Sequence, residues 1–78
     1  MLLNELKIGK QAKVTAVNGK GILRRRLLDL GITPRTKISV TKIAPMGDPI
    51  EITVRGYELT IRIEDAQNIE VELAEDSL

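Results

Sequence analysis

Three consecutive arginines, Arg24-Arg25-Arg26, are the densest concentration of chemistry in this sequence. A guanidinium is a planar fork of donors that matches carboxylates and phosphates in pairs. Arg25 and Asp29, four residues apart, can pair on a helix for only tenths of a kcal/mol, so a solvated helix face would account for the triplet by itself. Leu28 argues for more. On a helical wheel it falls on the outer side between Arg24 and Arg25, and an apolar residue bracketed by arginines has the centre-and-rim pattern of a small protein interface. Arg24, Arg25, Leu28 and Asp29 are therefore candidate partner-binding residues. Arg26 lies on the flank, where its methylene stem can cover apolar surface.

A second patch is the loop Pro45-Met46-Gly47-Asp48-Pro49. Asp48 is expected to accept local backbone hydrogen bonds, as aspartate does in turns. Met46, flexible and apolar, is a contact residue if it is exposed. Pro45, Met46 and Asp48 join the candidate partner-binding set.

Other chemistries are poorly provided for. The sequence has no histidine and no cysteine, which removes the commonest general base, the commonest transition-metal ligand and any disulfide. Glu64, Asp65, Glu70 and Glu72 could offer oxygen ligands to a hard cation, but no Asp-x-Asp-x-Asp-Gly loop is present and Glu70 and Glu72 share a solvent face of a strand. No nucleophile has an adjacent base, and Gly19-Lys20-Gly21 is too short to cradle a phosphate. Tyr57 is the sole aromatic residue, so stacking platforms for single-stranded nucleic acid and aromatic grooves for proline-rich peptides are missing. The expectation is a binding protein: not an enzyme, with no cofactor, no metal site and no nucleic-acid partner.

The elements that must position these residues are mostly strands. Period-two alternation recurs at Val14 and Ala16; Ile38 and Val40; Ile50, Ile52 and Val54; Leu59, Ile61 and Ile63; and Ile69, Val71 and Leu73. Turn residues separate the runs. Asn18-Gly19-Lys20-Gly21 supplies positive φ, and Arg55-Gly56-Tyr57 sits where a hairpin must close. About five short antiparallel strands imply a mainly β fold, a small closed barrel. One segment departs from the pattern. Residues 22–30 carry good helix formers and end at Gly31, with Pro34 beyond, which predicts a single inserted α-helix. Leu23, Leu27 and Leu30 fall within about 60° of one another and form the stripe that caps the barrel. A short helical turn is expected over 64–68, with Ala66 inward.

At 78 residues the chain reads as one domain, 1–78, near the lower size limit for a stable core. Net charge is +1, yet all 12 Lys and Arg lie at or before Arg62, while Glu64 to Leu78 holds six acids. A solvated last strand with a frayed tail at 74–78 is the plain explanation, and an interaction surface is the other. No leader and no membrane-length apolar run is evident, so a soluble, unprocessed, cytoplasmic protein is expected.

The order of these features resembles the FeoA family, small cytosolic accessory proteins of bacterial ferrous iron transport. The resemblance runs from Leu6-Lys7-Ile8-Gly9 to Ile69-Glu70-Val71. It is most specific at Arg26-Leu27-Leu28-Asp29-Leu30-Gly31-Ile32-Thr33-Pro34, at Ala44-Pro45-Met46-Gly47-Asp48-Pro49-Ile50, and at Val54-Arg55-Gly56-Tyr57 with Leu59 and Arg62. It implies an SH3-like barrel that docks onto the cytosolic GTPase domain of a FeoB-type membrane transporter and meets the membrane only through it. Weak self-association through exposed apolar residues is left open. Arg35 departs from the family, which usually has Gly after the proline. The same barrel occurs in iron-dependent repressors, so a free-standing metal-sensing regulatory domain is the alternative.

Overall fold

A computed structural model describes residues 1–74, so most of the predicted frayed tail lies outside the described residues. Five strands form one antiparallel sheet: β1 (Gln11–Val17), β2 (Lys37–Ile43), β3 (Ile50–Val54), β4 (Tyr57–Ile61) and β5 (Ile69–Leu73), in the order β4-β3-β2-β1-β5. Helix α1 (Gly21–Asp29) is inserted between β1 and β2, and α2 (Ile63–Ala66) links the edge strands β4 and β5. A 3₁₀ turn over Leu3–Glu5, which strand alternation could not reveal, precedes them. The expected mainly β fold with one inserted helix is present.

Alternation works because one face of the sheet is the core. Val14, Ile38, Val40, Ile52, Val54, Ile69 and Val71 are at most 2% exposed, with Leu3, Leu27 and Ile32 closing over them. Two shifts of register break the period. One falls between Val14 and Ala16 and turns Val17 inward, leaving Ala16 half-buried; the other falls between Val40 and Lys42 and sets Ile43 across from the buried Ile50, although Ile43, last in its strand, is still 44% exposed.

Barrel closure differs from the expectation. Among the described residues no ladder joins β4 to β5, so the sheet keeps edges. Part of the β5 edge is covered instead by the start of the chain. The Met1 amino group donates to the Val71 carbonyl at 3.0 Å, and the Val71 amide donates to the Met1 carbonyl at 2.8 Å. This satisfies backbone groups that an open edge would present.

Candidate docking surface

Helix α1 ends where Gly31 leaves right-handed space. With Gly31 at φ +97°, its amide donates to the Leu28 carbonyl at 3.0 Å and the Ile32 amide donates to the Leu27 carbonyl at 3.1 Å. These are the paired bonds of a Schellman stop, and Ile32, fully buried, folds beneath Leu27. Ile32 thereby takes the core position expected of Leu30, which is 37% exposed.

The helix is also rolled about its axis relative to the wheel expectation. Leu27 is buried, while Leu23 and Leu28 are half-buried and pack on the core. Leu28 is thus a shoulder of the apolar face rather than an outward knob. Arg24 lies between Leu27 and Leu28 on the wheel, and its Nε donates to the Val17 carbonyl at 3.1 Å, tying the helix to the end of β1. The side that remains outward carries Arg25 and Asp29, both exposed, and Ile22, which is 82% exposed. Ile22 went unnoticed in the sequence, although completing the helical wheel puts it within about 60° of both.

The loop after β2 is also displayed. Pro45 and Asp48 are exposed, and Met46 is 91% exposed. Ile43, exposed at the end of β2, joins Pro45 and Pro49 along a shallow cleft of about 290 Å³. Asp48 does accept a backbone hydrogen bond, though not a local one. Its Oδ1 receives the Ile63 amide at 3.0 Å, across fifteen positions of sequence, and so caps the first turn of α2.

Helix α2 is the bridge between the two patches. Asp65, 8% exposed, faces Arg26 Nη2 at 3.7 Å and Arg62 Nε at 3.8 Å. One end of α2 thus holds the loop through Asp48, and its buried carboxylate faces α1 through Arg26. The role expected of Arg26, covering apolar surface with its stem, is joined by an ion pair that only the fold reveals. Among the described residues no group of three or more His, Cys, Asp or Glu side chains is arranged to hold a metal ion. Asp65 is already occupied by guanidiniums.

A third cluster locks the far end of α1. The hairpin between β3 and β4 turns through Arg55 at φ +50° and Gly56 at φ +86°, as a two-residue turn of the I′ type requires. Arg55 Nε donates to the Gly31 carbonyl at 3.1 Å, and Nη2 donates to the hydroxyls of Thr33 at 2.9 Å and Thr36 at 3.2 Å. Tyr57 Oη donates to the Leu30 carbonyl at 3.3 Å. Carbonyls orphaned at the helix end are met by side chains from a hairpin more than twenty residues away.

This geometry has known counterparts. Residues 1–73 match the family model described as FeoA domain. The Fe(2+) transport protein A/Fe(2+) transporter FeoB fusion protein of Porphyromonas gingivalis is 41% identical over 73 residues, which cover 94% of this chain and only 9% of that protein. The solution structure of FeoA from Chlorobium tepidum superposes with a TM-score of 0.90 at 42% identity, covering 100% of this chain and 74% of the other. The zinc-complexed FeoA of Stenotrophomonas maltophilia, a prokaryotic SH3 domain protein, superposes with a TM-score of 0.83 at 26% identity over 92% of this chain and 89% of the other. A helix-inserted SH3-like sheet matched along its length by the FeoA domain model places the chain in one family: it belongs to the FeoA domain proteins.

Proposed function

We propose that this chain is a non-catalytic accessory protein of bacterial ferrous iron uptake. It acts in the cytoplasm by docking onto the cytosolic GTPase domain of a FeoB-type transporter. The observation that carries the reading is the Porphyromonas gingivalis fusion, in which a segment 41% identical to this chain shares one polypeptide with a FeoB transporter. Covalent linkage raises the effective concentration of two modules for each other, and a separate chain must replace that advantage with contact surface.

The surface proposed for that contact has two parts joined through α2. On the helix, Arg25 and Asp29 are exposed and have no ion pair among the described residues, with Arg24 and Leu28 along one shoulder and exposed Ile22 beside the two charges. On the loop, Met46 and Pro45 supply apolar contact while Asp48 holds them in place. Exposed apolar residues flanked by arginine are the composition of an interface centre with a charged rim. Residues such as Leu27 belong to the core instead.

A pull-down by the transporter's cytosolic domain tests this reading with wild type, Arg25→Glu and Met46→Asp. The two exposed substitutions should leave the fold intact and reduce capture strongly. Undiminished capture of both folded variants overturns the proposed surface.

A further inference from the structure

Two non-glycine residues of the described chain have positive φ, and both are arginines: Arg35 at +77° and Arg55 at +50°. Both stand on the rim of a single open cleft of about 490 Å³ on the outer face of the sheet. For Arg55 the fold supplies a reason, since its side chain anchors the helix end through three hydrogen bonds. For Arg35 the fold explains only the backbone, whose amide donates to the Val14 carbonyl at 2.7 Å, and among the described residues its side chain has no hydrogen bond or ion pair. Pro34 and Arg35 are the central residues of a turn closed by the Thr36 amide donating to the Thr33 carbonyl at 3.1 Å. Proline followed by a residue near φ +80° is the type II arrangement, in which the second position favours glycine. A long charged side chain held against that preference is backbone strain of the kind that gathers at functional sites.

The charges around the cleft point the same way. Lys37 lines it beside Arg35 and Arg55, and Lys13 on β1 stands directly across from Lys37, a like-charge pairing that costs stability. Glu72 neighbours Lys13 on its other side, and Glu58 lies across from Thr53. Among the described residues, however, the close ion pairs belong to Arg26 and Arg62, and no carboxylate lies within 4.0 Å of the Arg35, Lys37 or Arg55 cations. The floor is polar: Gln11, Ser39 and Thr53 form one row across three strands.

We infer that this cleft is a docking groove for an acidic, extended segment of a protein partner, with Arg35, Lys37 and Arg55 receiving its carboxylates and the Gln11-Ser39-Thr53 row meeting its remaining polar groups. The groove's openness favours a peptide over an enclosed small ligand, because the three cations are all exposed. Charge complementarity identifies the occupant's chemistry, and the inference does not depend on which protein carries the segment.

The test is a titration of the isotope-labelled protein at low ionic strength with a short, end-capped peptide of alternating Asp and Glu, followed by amide shifts. Saturable shifts confined to residues 35–39, 53–56 and Gln11 are expected, and they should weaken as salt is added. Arg35→Gly suits the turn, so it should melt at or above the wild-type temperature while binding the peptide roughly tenfold more weakly. Lys37→Gln should bind more weakly too. Absence of saturable shifts, or unchanged affinity in Arg35→Gly, overturns the proposal, as does a lowered melting temperature for that variant. Inorganic phosphate that produces the same shifts at lower concentration than the peptide overturns the assignment to an acidic segment.

Discussion

Replacing Gly31 by alanine strikes the point where the helix stop and the Arg55 clasp meet. Gly31 sits at φ +97°, and holding an L-residue in left-handed space costs roughly 1 to 2 kcal/mol. The new Cβ would stand 3.0 Å from Arg55 Cδ and 3.2 Å from its Nε. The stem of Arg55 could swing aside, but its guanidinium is held by the Gly31 carbonyl and two threonine hydroxyls. Because those bonds are exposed, losing them adds only about 0.5 to 1 kcal/mol. The expected destabilisation is about 1.5 to 3 kcal/mol, out of roughly 4 to 12 for a domain of this size. In a thermal melt it should lower Tm by roughly 6 to 24 °C. Urea unfolding of Gly31→Ala, Arg55→Ala and the double variant separates the two contributions. In the Arg55→Ala background the alanine should cost only the backbone part. An equal cost in both backgrounds refutes the clash with Arg55, and a total below about 0.5 kcal/mol refutes the description of the helix stop.

Other substitutions probe the same framework. Leu27→Ala, at a site 1% exposed, should cost about 2 to 5 kcal/mol in urea unfolding. Arg24→Ala should cost about 0.5 to 1.5 kcal/mol through loss of the bond to the Val17 carbonyl, whereas Arg25→Ala should stay within about 0.5 kcal/mol, so adjacent arginines separate in one melting series. Asp48→Ala uncaps the Ile63 amide and should cost about 1 kcal/mol, with amide exchange accelerating first in α2.

Much of this architecture is legible in the sequence because its causes are local. Alternating apolar residues place the strands, and the Gly31 and Arg55-Gly56 positions mark a helix stop and a hairpin that the backbone dihedrals bear out. What the sequence hides is set by contacts between distant segments. The roll of α1 depends on the Val17 carbonyl and on Ile32 folding under Leu27, neither of which enters a wheel of residues 22–30. Ile43 sits across from the buried Ile50 because the ladder slips after Val40, a pairing that a strict period of two, which would turn Ile43 outward, cannot anticipate. Asp48 reads as a local turn acceptor, yet its partner is Ile63; Arg26 reads as a flank residue, yet it meets Asp65. Ile22 is the exception, since completing the helical wheel would have placed it beside Arg25 and Asp29.

In the proposed complex, one outward side of α1, together with the Pro45–Pro49 loop, receives the transporter's cytosolic domain. The most direct measurement is an amide-shift titration of this protein, isotope-labelled, with the unlabelled cytosolic domain. Line broadening or shifts centred on Ile22, Arg25, Asp29 and Ala44 to Asp48 are expected, with the Lys7 to Lys10 loop unaffected. Perturbations confined to other surfaces, with the helix and loop signals unmoved, would contradict it.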